Sequence, residues 1–472
     1  STGGAIPAAA LDPGPLPADP EALAFAPVTA LRRWLDGRSL TAARLTDVYI
    51  ERLKRIGPRL ECVITLTEER ARREAAAADR DLARGLRRGP LQGIPYGAKD
   101  LLDTAGIPTT YGAEPYRTRV PARDAEVVRR LAEAGAILVA KLSLGELANG
   151  DIWFGGKTRN PWNVAEGSSG SSAGAGAAVG AGLVAFAIGS ETMGSIVSPS
   201  NRCGVVGLRP TFGLVPRTGA MALAWSLDKL GPMTRRVDDA FLVLTVIAGA
   251  DGGDPASRTV ALSRPPRRDL RGLRVGFREA WKEHPVDARA FAELAALGAE
   301  LVPITLPALP YEAFGALLLG EAGAAFEDLA LGAGIDSLRV QDHPECWPVL
   351  LRRARYVSAV DFVQADRERR RAMDEAAALF RGVDLIAAPA MEGTLLTLTN
   401  LTGHPCLVVR AGFEQVPSRG FDLEPPAGES APVRVPRGFG LWGRIDADGL
   451  LCAAGALLEA RLGVADERPP AL

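Results

Sequence analysis

Residues 166–195, EGSSGSSAGAGAAVGAGLVAFAIGSETMGS, place four serines in five positions, follow them with a run made almost wholly of Gly and Ala, and close on Gly-Ser-Glu-Thr-Met-Gly-Ser. Small residues let backbones approach closely, and a Gly-rich turn beside a strand can aim several N–H groups at one point. Such a turn suits either a phosphate or an oxyanion. The phosphate option fails on spacing. Gly174-Ala-Gly176 lacks the third glycine of Gly-x-Gly-x-x-Gly, and GIPYGAKD, from Gly93 to Asp100, has neither the gap nor the hydroxyl after lysine of a P-loop. Acyl transfer needs a nucleophile, a base and oxyanion donors. Ser195, at the end of a strand-like run and followed by Ile-Val-Ser-Pro, is well placed as the nucleophile. For a base the chain offers three histidines, His284, His343 and His404, of which only His404 stands in a conspicuous motif, NLTGHP. It also offers six lysines among 55 basic residues. Where charge alone is needed this chain uses arginine, so a lysine kept in an apolar context is a candidate for losing its proton near neutral pH, which arginine cannot do. A rival pattern, Ser226-Leu-Asp-Lys229 with Lys157-Thr158-Arg159, approaches the Ser-x-x-Lys and Lys-Thr-Gly of penicillin-recognising enzymes but lacks the final glycine and any Ser-Asp-Asn.

Four blocks, GIPYGAKDLLDTAG (93–106), SSGSSAGAG (168–176), GSETMGSIVSPSNRCGVVGLRPTFG (189–213) and SLDKLGPMTR (226–235), closely resemble the amidase signature family. The resemblance extends over roughly residues 28–462. It implies a Ser–cis-Ser–Lys triad on Ser195, Ser171 and Lys99, with Ser172 as a supporting serine and a cis peptide at Gly170–Ser171. It also implies an oxyanion hole made by the backbone N–H groups of Thr192, Met193, Gly194 and Ser195. The fold implied is α/β, a large mixed twisted sheet flanked by helices. In that scheme a neutral Lys99, its pKa lowered by burial, takes a proton from Ser171, which relays one from Ser195. Each residue also has a plainer role: a serine in a Gly-rich turn is structural on its own, and Lys99 beside Asp100 fits an ion pair. Lys141 and Lys229 read as structural, His404 as a packing or pocket-rim residue, and Asp100 carries no catalytic role. Two positions depart from the family's Gly-Gly-Ser-Ile-Arg: Met193 stands for the first glycine and Val197 for the arginine.

The elements that must position these residues follow from periodicity. Leu45, Tyr49 and Leu53 mark a helix with Gly57 as its stop, and residues 68–85 a second helix. Further helices are expected near 126–133 and 360–380, with strands at 136–140, 183–189, 204–208, 274–277 and 384–390. Short, uniformly apolar strands separated by helices point to a sheet covered on both faces. Residues 1–27, small and Pro-rich at the start, read as an extended arm without a signal peptide's pattern. Residues 28–472 read as one domain with a surface insertion near 414–436.

Composition limits the partners. Acidic and basic residues nearly balance at a net charge of −1, so nucleic acid and anionic membrane are poor partners, and no apolar run is long enough to span a bilayer. Five scattered cysteines and three histidines disfavour zinc and a disulfide framework, and no cofactor is expected. The expected protein is a cytoplasmic amide hydrolase acting on small aryl or alkyl amides, with esters and carbamates as further candidates. The variable stretch 278–358, including Leu317–Leu319, Phe326 and Trp347, and residues 391–399 are expected to line its pocket. The alternative is a glutamine-hydrolysing A subunit of a tRNA-dependent amidotransferase. The oligomeric state stays open.

Overall fold

Apolar runs become strands here, and eleven of them join into one mixed sheet. The computed structural model describes residues 14–425 and 428–470. Its strands are β1 (Val63–Leu66), β2 (Pro95–Lys99), β3 (Ile137–Leu142), β4 (Phe186–Glu191), β5 (Val206–Arg209), β6 (Lys229–Thr234), β7 (Arg274–Phe277), β8 (Glu300–Pro303), β9 (Leu385–Pro389), β10 (Cys406–Val416) and β11 (Val433–Gly443). Across the sheet they run β1-β3-β2-β4-β6-β5-β10-β11-β9-β7-β8. Strand β2 lies parallel to both β3 and β4, whereas β4 and β6 are antiparallel. Every residue of β2 and β3 is buried, as in a sheet covered on both faces, and each strand buries one lysine, Lys99 and Lys141. Helices expected near 126–133 and 360–380 occupy Glu126–Glu133 and Ala359–Gly382.

Three expectations are corrected. The helix Ala42–Leu60 buries Leu45, Tyr49 and Leu53 as its periodicity requires, but it does not stop at Gly57; it continues through Pro58 and ends at Glu61, which is left-handed at φ 50°. Gly57 serves contact instead, since a Cβ there would lie 3.2 Å from Val63 Cγ2 on β1. Part of the amino-terminal arm is helical. Asp19 accepts the N–H groups of Glu21 and Ala22, starting the helix Pro20–Ala24, whose Leu23 and Ala24 are buried; residues 1–13 lie outside the described residues. The insertion is narrower than expected, because β10 and β11 pair out to Val416↔Val433, leaving 417–432 as the connection.

One hydrophobic core runs through the sheet and its helices. A second, smaller cluster joins Leu227, Phe314, Leu317, Leu398 and Leu401, with Met193 packed against it. All five cysteines are free and buried. No helix among the described residues is long and apolar enough to cross a membrane.

Candidate active site

Lys99 is the last residue of β2, and Ser190 lies at the matching end of the parallel neighbour β4. The serine-rich segment lies against the ends of these paired strands and leads into the fully buried helix Ala173–Gly180. At its amino end that helix has no room for a side chain: a Cβ on Gly174 would lie 2.5 Å from both Cys62 O and Ser143 N. The helix thereby brings Ser171 and Ser172 to the ends of the strands. The peptide between Gly170 and Ser171 is cis.

Lys99 is fully buried, and its Nζ lies 2.7 Å from Ser171 Oγ, 3.1 Å from Ser172 Oγ and 2.9 Å from Ser190 Oγ. Among the described residues it has no ion-pair partner. Burial therefore drives the ammonium well below its usual pKa, and Asp228 and Glu191 oppose this only at a distance. Ser172 is fixed at both ends of its hydroxyl: Oγ accepts Ser190 N–H at 3.1 Å and donates to Ser190 O at 3.0 Å. Its own N–H donates to Ser195 O at 3.1 Å, tying the two serine segments together. Ser195 is only partly buried, unlike Ser171 and Ser172.

The turn carrying Ser195 is held from behind. Glu191, fully buried, pairs with Arg209 Nη1 at 2.7 Å and accepts the N–H groups of Ile196 and Val197 at 2.8 and 3.0 Å. Burial alone would raise its pKa, yet Arg209, Lys229 and these donors hold the carboxyl below its usual range. Thr192 Oγ1 donates to Asp228 Oδ1 at 2.6 Å, and Lys229 Nζ faces Thr192 O at 3.5 Å. Burial, reinforced by Arg209, pushes Lys229 down to about 7. Gly194 turns at φ +98°, a conformation glycine adopts at little cost, and a Cβ there would meet Leu396 Cδ2 at 3.3 Å.

The structure thus brings together Lys99, Ser171, Ser172 and the segment Thr192-Met193-Gly194-Ser195. It separates the rival pair: Ser226 Oγ bonds Glu321 and Arg369, while Lys229 faces Thr192. His404 stacks on Phe380 at 4.7 Å and bonds Thr402 Oγ1 through Nδ1 at 2.7 Å, away from any serine of the cluster. Of the expected pocket residues, Leu317 shares its cluster with Met193, whereas Phe326 and Trp347 pack on each other in the main core. Sequence reasoning missed Ser190, Glu191, Arg209 and Asp228 as supports. The first two stand inside the GSETMGS motif, and their signal is the register of β4 against β2 and β6.

The family model named Amidase matches residues 44–411. The chain is 34% identical over 466 residues to the A subunit of the glutamyl-tRNA(Gln) amidotransferase of Anaeromyxobacter sp. (strain K), covering 90% of this chain and 94% of that one. It is 41% identical over 322 residues to its namesake from Moorella thermoacetica, covering 65% and 66%. The solved peptide amidase of Stenotrophomonas maltophilia superposes with a TM-score of 0.79 at 31% identity, covering 94% of this chain and 98% of that one.

Proposed function

This chain belongs to the amidase signature family, hydrolases of carbon–nitrogen bonds, and from that premise we propose that it cleaves small aryl or alkyl amides through an acyl-enzyme on Ser195. The observation that carries this reading is a buried lysine surrounded by hydroxyls and, among the described residues, paired with no carboxylate. The hydrogen-bond directions support it. Ser172 spends its proton on Ser190 O, so it can only accept from Lys99. A neutral lysine then uses its N–H groups on Ser172 and Ser190 and turns its lone pair to Ser171, whose hydroxyl donates to it.

Ser195 Oγ attacks the carbonyl carbon as its proton passes to Ser171 Oγ, and the Ser171 proton passes to Lys99. The oxyanion is held by the N–H groups of Thr192, Met193, Gly194 and Ser195. On collapse the carbon–nitrogen bond breaks; Ser171 gives its proton to the departing amine and recovers one from Lys99. Water, deprotonated along the same path, then releases the acid. The apolar cluster touching Met193 supports a hydrophobic substrate.

The test is a panel of anilides, carbamates, esters and glutamine, run on the intact enzyme and on Ser195→Ala and Lys99→Ala. Anilides are expected to turn over, and Ser195→Ala to lose about 10⁴-fold or more in kcat. Full amidase activity in Lys99→Ala at neutral pH would overturn the relay. The 34% identity over 90% of the chain favours a second reading, an amidotransferase A subunit. Glutamine as the sole substrate, hydrolysed only with added partner subunits, would establish it in place of the first.

A further inference from the structure

The connection 417–432 between β10 and β11 is tied to the segment that carries Ser171. Arg419 lays its guanidinium on buried Glu166, with Nη2 2.5 Å from Oε1 and its backbone N–H 2.9 Å from Oε2. Gly420 O accepts the N–H of Gly167 at 2.8 Å. Asp422 then makes two contacts: its N–H donates to Asp151 Oδ1 at 3.0 Å, and its Oδ2 accepts the Ser169 hydroxyl at 3.0 Å. Ser169, two residues before Ser171, is left-handed at φ 57°. Glycine adopts that conformation freely and serine seldom does, so the surroundings must hold it. Its N–H donates to buried Asp151 Oδ2 at 3.0 Å, and its Oγ lies 2.6 Å from Ser198 Oγ. Because Ser169 gives its proton to Asp422, the Ser198 hydroxyl is the donor between the two serines. Ser198 belongs to the helix Val197–Cys203, and its N–H reaches back to Gly194 O at 2.8 Å. One line of hydrogen bonds from Asp422 therefore reaches both the segment carrying Ser171 and the turn carrying Ser195.

We propose that Asp422 is a positioning residue for the amidase reaction: it holds Ser169 left-handed and, through Ser169 and Ser198, fixes Ser171 relative to Ser195. It touches neither substrate nor reacting atoms. A carboxylate suits this place because it only accepts, which sets the direction of both hydroxyls at once. The connection between β10 and β11, remote in sequence from the serines, thus becomes part of what aligns them. The inference rests on the roles given above to Ser195, Ser171 and Lys99.

The experiment reads kcat and KM on an anilide substrate, with thermal unfolding followed on every variant. Asp422→Ala is expected to lower kcat about tenfold with KM within about twofold, the scale of a small misplacement of reacting groups. Asp422→Asn keeps an acceptor oxygen and recovers most of that loss. The discriminating pair changes residue 169 inside the Asp422→Ala background. Glycine there needs no tether to keep φ near 57°, so kcat is expected to rise about fivefold again, whereas alanine gives no recovery. A role limited to docking the connection would cost the same whether residue 169 is serine or alanine, whereas a role through Ser169 makes Asp422→Ala silent on top of Ser169→Ala, and any instability from Asp422→Ala is common to both double variants. Should Asp422→Ala not fold, Asp422→Asn and Ser169→Ala replace it, with Ser169→Ala expected to be the slower. Unchanged kcat in Asp422→Ala, equal rates for the glycine and alanine doubles, or Ser169→Ala no slower than Asp422→Asn overturns the proposal. Ser195→Ala, run alongside, separates the two readings. If it keeps its activity, the triad falls and this inference with it; if it is inactive while Asp422→Ala matches the unaltered enzyme, only this inference falls.

Discussion

Lys99 and Lys141 sit on adjacent strands, β2 and β3, with Lys141 paired to Ala98 and Lys99 to Leu142, and both are fully buried. Their partners differ. Lys141 Nζ lies 2.9 Å from Asp100 Oδ1 and 2.7 Å from Thr109 Oγ1, and Asp100 accepts the N–H and hydroxyl of Thr110 at 2.8 and 2.6 Å. Among the described residues, Lys99 has only hydroxyls and a carbonyl within reach. Burial depresses both lysines, but contact with Asp100 opposes the effect in one and nothing comparable does so in the other. Burial alone does not leave an amine neutral; burial without a counter-ion favours it. The sequence neighbours Lys99 and Asp100 look like an ion pair on paper. Successive residues of an extended chain point to opposite sides, so Asp100 pairs with Lys141 instead.

Removing each amine separates the two roles. Lys99→Met is expected to lower kcat by about 10³-fold, the scale of general-base catalysis, while its resistance to urea stays near that of the unaltered protein. Lys141→Met leaves Asp100 buried and unpaired and is expected to lose about 3–5 kcal/mol of unfolding free energy, with kcat per folded molecule retained. An equal loss of kcat in both variants would erase the distinction drawn between them.

The pH dependence sharpens it. As pH falls through the depressed pKa of Lys99, the amine gains a proton and kcat/KM is expected to fall. Stability changes in the same direction. An unfolded lysine keeps its proton up to about pH 10.4, so between the folded pKa and that point the unfolded chain holds more protons, and stability rises with pH. Lys229, pushed down to about 7, adds a contribution of the same sign from about 7 upward. Unfolding curves of the unaltered protein and Lys99→Met between about pH 8 and 10 should therefore diverge as pH rises, the variant having the shallower slope. Parallel curves would mean that Lys99 keeps its proton in the fold.

Much of this arrangement is legible in the chain. Runs such as AILVA (136–140) and DLIAAPA (384–390) declare strands because both faces of the sheet are covered, and the compositional oddity of 166–195 marks where backbones must meet. The supports are not legible, because they depend on strand order. Glu191 meets Arg209 only because β6 lies between β4 and β5, and Asp422 meets Ser169 only because β10 and β11 fold back as one hairpin. Nothing local to Arg209 or Asp422 announces those neighbours. Gly57 fails as a helix stop for a related reason, since its small size serves a contact with Val63 that periodicity does not reveal.

The smallest expected effect on rate comes from the histidine that a conventional triad would have recruited. His404 is buried, stacked on Phe380 and bonded to Thr402, and burial pushes it down to about 4. His404→Asn should leave kcat and its acid limb in place. The effect belongs to stability: an unfolded histidine gains its proton below about pH 6.5 and the folded one only near 4, so the unfolded chain holds more protons between them. The unaltered protein then loses up to about 3 kcal/mol as pH falls through that window, and His404→Asn removes that loss. Urea unfolding at about pH 7 and about pH 5 measures the difference. An acid limb of kcat/KM that moves with His404→Asn, and not with Lys99→Met, would give the base's work to a histidine and reduce Lys99 to a buried structural amine like Lys141.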